Sequence, residues 1–183
     1  MVSEPQSSAK QPVSAALAGP YGHPLHPILV TVPIGAWVAS LVFDIASHVV
    51  RDPGFLTRGA MWLIAIGVLG ALAAAMVGFL DLFAIPAGTR AFRTALTHMT
   101  LNLLVTAAYA GGFAWRHAAG PGSRVGAGML ALSAVSLAVL GVSGFLGGKL
   151  AYRYGVRVAD EVTQAEGYTS AHRPTTDHPG AGR

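Results

Sequence analysis

No cysteine occurs among the 183 residues, and that absence excludes disulfides, iron–sulfur ligation and thiolate catalysis. Any metal must be held by nitrogen and oxygen donors. Charge is scarce as well: Asp, Glu, Lys and Arg make up 11% of the chain, against about 25% in ordinary soluble domains. With 52% hydrophobic residues and a mean hydropathy of +0.52, there is too little polar surface to cover a water-soluble globule. The composition predicts a protein embedded in the lipid bilayer. Its net charge of +4 comes from Lys and Arg scattered at segment ends, not gathered in a stripe, which points to anionic headgroups and away from nucleic acid. Also missing are a nucleophile elbow, a phosphate loop, a dinucleotide fingerprint and a zinc-protease motif, so no motif marks the chain as an enzyme in its own right. The first 20 residues are polar and hold no apolar core of signal-peptide length, which leaves insertion to the first spanning helix.

What the chain has in abundance is long apolar runs. Four segments, at about 27–50, 59–85, 92–117 and 124–152, each exceed the roughly 20 residues needed to cross a hydrocarbon core of about 30 Å. Between them stand Arg51-Asp52-Pro53-Gly54, Pro86-Ala87-Gly88-Thr89 and Gly120-Pro121-Gly122-Ser123. This is turn chemistry in short connections, and it makes consecutive helices antiparallel neighbours. The prediction is an all-α fold: an integral membrane four-helix up-down bundle over residues 21–158, between disordered termini at 1–20 and 159–183. Four passes put both termini on one side, here called the near side, with Lys10, Arg90, Arg93, Lys149, Arg153 and Arg157; the far side holds Arg51, Arg58, Arg116 and Arg124. That bias favours a cytoplasmic near side in the cell (inner) membrane. Ala74 with Gly78, and Gly144 with Gly148, are small residues spaced by four that let helices approach closely. Oligomeric state, a homo-oligomer included, stays open.

Ionisable side chains within a bilayer are costly and therefore functional candidates. His23 and His26 open the first segment, Asp81 lies in the last turn of the second, and His98 in the first turns of the third. Helix direction alone collects these groups in the near-side leaflet. Thr94, His98 and Asn102 recur every four residues, a polar stripe predicted to face the bundle interior. Pro24 and Pro27 push His23 and His26 toward extended backbone, and Pro33 bends the first helix.

Four readings follow. His23, His26, Asp81 and His98 could form a nitrogen and oxygen site for a transition metal ion. His26 and His98, on different helices at similar depth, could be axial ligands of haem b. Asp81 beside neutral imidazoles could relay protons, although no second buried carboxylate continues a path across the centre. Lastly, Asp81 and His98 could pair with Arg93, Lys149 or Arg153 and lock the helix ends of a non-catalytic scaffold or accessory subunit. Lys149 and Arg153, with Tyr152 and Tyr154, form a near-side rim that would anchor at the interface or hold haem propionates or an anionic headgroup. On the far side, His48 and His117 sit at headgroup level and are assigned no site, and Asp44 is expected to reach the interface or Arg58.

The stretches GHPLHPILVTVPIG at 22–35, GFLDL around Asp81, a third-helix histidine at His98 and GFLGGKLAYRYGV at 144–156 occur together. From about Tyr21 to Val158 the chain thereby resembles the bacterial family of predicted membrane proteins catalogued as domain of unknown function 2231. The resemblance implies a four-helix integral membrane protein, similar in layout to four-helix b-type cytochromes and joined in some other members to a Rieske iron–sulfur domain. It implies a redox leaning, with a Rieske-type or other redox partner protein, and not a reaction. Many members carry a further histidine and an aromatic residue before Pro-Ile-Gly, where this chain has Thr31 and Val32. The leading expectation is a haem-binding, redox-linked membrane subunit whose cofactor contacts come from His23, His26, Asp81, His98, Asn102, Lys149 and Arg153. A transition-metal site of His23, His26, Asp81 and His98 comes close behind.

Overall fold

A computed structural model describes residues 4–12, 24–120 and 124–168. Among the described residues every regular element is helical: α1 (Glu4–Lys10), α2 (Leu25–Leu29), α3 (Thr31–Ala46), α4 (Gly54–Leu82), α5 (Arg90–Ala119), α6 (Ala127–Gly148), a π-helical turn (Lys149–Arg153) and α7 (Glu161–Glu166). The short helices α1 and α7 fall in terminal stretches expected to be disordered. α7 has a cause for its start, since the Asp160 carboxylate accepts from the Thr163 backbone N–H at 2.9 Å and its hydroxyl at 3.1 Å.

Among the described residues three helical stretches are long and apolar enough to cross a membrane: Leu25–Ala46, Gly54–Leu82 and Ala127–Arg153. α5 is longer, at 30 residues, yet falls short on apolarity because Thr94, Thr97, His98, Thr100, Asn102 and Thr106 line it. It starts where Thr89 accepts from the Phe92 N–H at 3.1 Å and stops at Gly120, whose φ of 80° suits the residue after a helix end. The first span is interrupted at Val30. Pro33 has no N–H to give the Leu29 carbonyl, and the Thr31 hydroxyl donates to the Ile28 carbonyl at 2.7 Å, easing the break. His26 departs from expectation here: it precedes Pro27 but lies inside helix α2, with its carbonyl accepting from the Val30 N–H at 3.1 Å.

Contacts along the helices fix their relative directions. Going up α3, the Trp37 indole N–H donates to the Ile64 carbonyl at 3.4 Å, and the Phe43 ring lies on Gly59, further back along α4. Below them His26 reaches Ala74, so α2–α3 and α4 run antiparallel. In the same way Trp115 lies on Gly128, Tyr109 reaches Ser133 and His98 reaches Ser143, which makes α5 and α6 antiparallel. α3 and α5 face each other across the core and run the same way, with Trp37 stacked on Tyr109.

The packing is inverted relative to a soluble protein. Phe55, Trp62, Met76 and Phe145 are each more than 70% exposed, whereas Ser40, Asp44, Ser47, Ser133 and Ser143 are buried. Lipid tails cover apolar side chains as well as a core would, so the interior is left to small and polar groups. The central cluster is Trp37, Ile64, Val105 and Tyr109, and a smaller one at the near side joins Ile85, Ala95 and Leu150 to Tyr154 and Val156.

Candidate functional site

Two histidines meet at the near end of the bundle. His26 Nδ1 donates to the Ala74 carbonyl of α4 at 2.9 Å, and His98 Nδ1 donates to the Ser143 carbonyl of α6 at 2.8 Å. Each ring thus leans across from its own hairpin arm onto the returning one, His26 from α2 onto α4 and His98 from α5 onto α6. Each also rests on a glycine one turn beyond the carbonyl that holds it: a Cβ on Gly78 would come within 2.9 Å of the His26 ring, and one on Gly147 within 3.0 Å of His98. The two rings face each other edge to face, with centres 6.3 Å apart and planes at 82°. Because both Nδ1 atoms are spent on backbone carbonyls, the chemistry left to each ring is at Nε2.

At His98 that second nitrogen is engaged. Asn102 Nδ2 donates to His98 Nε2 at 3.1 Å, and the Ser143 hydroxyl donates to the His98 carbonyl at 3.2 Å. The predicted stripe on α5 therefore does face inward at His98 and Asn102, while Thr94 spends its hydroxyl on its own helix, on the Arg90 carbonyl at 2.9 Å.

Asp81 is buried close by, but its partner is Arg157, with Oδ1 and Nε 3.1 Å apart. Arg157 sits in the turn after the π-helical segment at a φ of 57°, and its backbone N–H donates to the Ala9 carbonyl at 3.0 Å. Neither Arg93, Lys149 nor Arg153 fills that role. His23 lies outside the described residues. Among the described residues no three His, Asp or Glu side chains converge to hold a metal ion. Of the three described members of the four-residue metal set, two imidazoles are together and the carboxylate is paired with a guanidinium. Lys149 lies with Nζ 5.6 Å from the centre of the Tyr154 ring. Arg153 is exposed and lines a surface cavity with Gln6, Lys10 and Tyr152. Both fit the interfacial rim, and neither contacts His26 or His98 among the described interactions.

Of the two small-residue pairs, Ala74 and Gly78 do form a contact surface, as the seat of His26. Gly144 does not: a Cβ there would meet nothing within 4 Å. The close approach on α6 is one residue out of that register, at Ser143 and Gly147.

Away from the histidines the bundle axis holds two further pairs. Trp37 and Tyr109 stack with centres 4.2 Å apart and planes at 8°, and the Tyr109 hydroxyl donates to the Ser133 carbonyl at 3.3 Å. At the far end, Arg116 donates through Nη1 to Asp44 Oδ1 at 2.8 Å and through Nη2 to Oδ2 at 2.6 Å, with a third bond to the Ser133 hydroxyl at 3.2 Å. Asp44 is 0% exposed and Arg116 5%. The expectation that Asp44 reaches the interface or Arg58 is thus overturned. Arg116 stands beside His117 near a helix end and reads in sequence as one more interfacial cation. Asp44 lies two and Arg116 three residues inside their helix ends, and no spacing in the sequence marks the pair. His48 and His117 are exposed, and His117 stacks on its own helix neighbour Phe113.

The model of the family described as "Predicted membrane protein (DUF2231)" matches residues 22–160. No curated protein and no solved structure matches the chain.

Proposed function

We propose that this chain, which belongs to the DUF2231 family of predicted membrane proteins, is a four-pass up-down bundle of the cell (inner) membrane with both termini on the cytoplasmic side, in which His26 and His98 hold the iron of a haem b as a redox-linked subunit. The observation that carries this reading is the matched pair of imidazoles. Their centres are 6.3 Å apart, and the two rings come from different helices at one end of the bundle, so both imidazoles would serve as nitrogen donors to one iron. An Nδ1–H fixed on a backbone carbonyl is also how a ligating imidazole is oriented and its Nε2 kept available. Haem, when bound there, supplies one-electron transfer. The residues' own work is to orient two nitrogens and to keep Asp81 neutralised by Arg157 in the same leaflet. α5 takes its place as the fourth pass because its polar stripe faces inward at His98 and Asn102. A Rieske-type or other redox protein is the partner class this reading calls for.

A transition metal ion held by His23, His26, Asp81 and His98 is the weaker form of the proposal, since Asp81 is paired with Arg157. A second reading has its own observation: Asn102 already satisfies His98 Nε2 at 3.1 Å. On that reading the histidines are a latch between hairpins, in a scaffold or accessory subunit. Absorption spectra and elemental analysis of detergent-purified protein, after haem-replete expression, separate the two. A Soret band present in wild type and lost in both His26→Ala and His98→Ala supports haem. A colourless, metal-free wild type sinks the cofactor reading and leaves the latch.

A further inference from the structure

The two helical hairpins use one contact register twice. Moving His26, Trp37, Phe43 and Asp44 forward by 72 positions, the separation of the Asp44–Arg116 pair, gives His98, Tyr109, Trp115 and Arg116. Moving the positions they lean on in α4, namely Gly59, Ile64, Ala74 and Gly78, forward by 69 gives Gly128, Ser133, Ser143 and Gly147 in α6. The contacts follow the shift. His26 bonds the Ala74 carbonyl and His98 the Ser143 carbonyl. The same rings lie on Gly78 and on Gly147, Phe43 lies on Gly59 and Trp115 on Gly128. Trp37 donates to the Ile64 carbonyl and Tyr109 to that of Ser133. Because each residue turns a helix by about 100°, a slip of one position would carry every one of these side chains off its seat. Four agreeing contacts therefore define a repeat. The difference of three positions falls at the helix ends: seven residues separate the helices in both hairpins, but Gly59 stands five positions past the first residue of α4 and Gly128 one past that of α6.

We infer that the chain is one helical hairpin used twice about a two-fold axis between α3 and α5, and that the Asp44–Arg116 pair selects which hairpin mates with which. Three pairs of equivalent residues meet across that axis. His26 with His98 are identical, and Trp37 with Tyr109 are both flat aromatics, so neither pair tells one hairpin from the other. Asp44 with Arg116 does. A first hairpin mated to another first hairpin would bury two carboxylates against each other, and two second hairpins would bury two guanidinium groups, both heavily penalised in a site without water. The surface between hairpins thus fits one partner, a hairpin of the opposite kind. In the wild type that partner is the same chain's, favoured by the short connection between Leu82 and Arg90. A second copy of this chain offers the same surface, so the interface is built for hairpin exchange and held to one chain by proximity. This inference stands apart from the cofactor reading, since it needs no bound group.

The test uses full-length chains. Asp44→Arg places two guanidinium groups on the axis and Arg116→Asp two carboxylates, so each variant alone loses its matched pair and its thermal midpoint falls by about 10 °C. Made together in one membrane with different tags, the two variants can exchange hairpins so that each axis again holds one charge of each sign. Copurification in equal amounts, with a midpoint raised toward wild type, is the expected result; two differently tagged wild-type chains should stay separate. A single chain carrying both D44R and R116D should recover most of the loss. If that double variant is stable but the co-expressed singles do not associate, the hairpins are not interchangeable and the inference fails. If the double variant is no better than the singles, the pair does not select the mating, and it fails again.

Discussion

Gly78 lies beneath the His26 imidazole so closely that a methyl group on it would stand 2.9 Å from both Cε1 and Nδ1 of the ring. The ring cannot simply swing aside, because its Nδ1 is tied to the Ala74 carbonyl of the same helix face. Gly78→Ala should therefore break that bond and cost about 1–3 kcal/mol, as overpacking does. Gly147→Ala, with its nearest contact at 3.0 Å, should act the same way but more mildly. Thermal melts in detergent would check the order, and equal or absent losses would contradict the seating of the rings.

Among the described residues Asn102 competes for His98 Nε2, and its counterpart under the repeat is Val30, which cannot do so. Replacing Asn102 by Val should open that nitrogen. If His98 ligates, haem titrated into the purified variant should bind several-fold more tightly than to wild type. If His98 is only a latch, the same change should lower the melting midpoint and leave the spectrum flat.

Tyr109 contributes through its ring and its hydroxyl, and the two can be separated. Tyr109→Phe removes the bond to the Ser133 carbonyl at 3.3 Å and should cost about 1 kcal/mol. Tyr109→Ala also removes the stack on Trp37 and opens the centre, with an expected loss of about 3–5 kcal/mol. Trp37 fluorescence reports on the difference, since only the alanine variant should change the environment of the indole.

Helix α7 offers a pH test outside the membrane. The Thr163 backbone N–H and hydroxyl hold the Asp160 carboxyl below its ordinary value of 3.8. A carboxylate depressed on folding stabilises the helix fully above that ordinary value, and the contribution disappears as pH falls through the lowered one. Amide exchange of residues 161–166 should therefore be insensitive to pH near neutrality, after allowing for intrinsic exchange, and lose protection only below that ordinary value. Asp160→Ala should remove the protection at every pH.

Much of the architecture was legible because the bilayer makes it so: length and apolarity alone locate three spans, and helix direction alone brings His26 and His98 to one end. Asn102 was legible as part of a stripe with His98. Arg157 was not, because its side chain reaches Asp81 only after a π-helical turn and a residue at positive φ, neither of which has a pattern in sequence. Arg116 was hidden by its neighbours, since a cation near a helix end among Trp115 and His117 looks like an interfacial anchor. The repeat was hidden by its own chemistry. Of the eight pairs of contact residues only the histidines and the glycines are identical, while Asp44 and Arg116 are opposites. The repeated triplet Gly-Phe-Leu at 78–80 and 144–146 lies in a different register and draws the eye away.

The Asp44–Arg116 pair also sets a schedule for biogenesis. The two residues are 72 apart in the chain, so at about 5–20 residues per second a ribosome completes Asp44 roughly 4–14 s before it adds Arg116. For that interval the first span carries a carboxylate without its guanidinium, in a position where the hydrocarbon interior tolerates it poorly. The first hairpin must wait at the translocon or at the far headgroups, and lateral release into lipid becomes downhill only when the third helix arrives. Nascent chains stalled before Arg116 should remain crosslinkable to the insertion machinery, and those stalled beyond it should not.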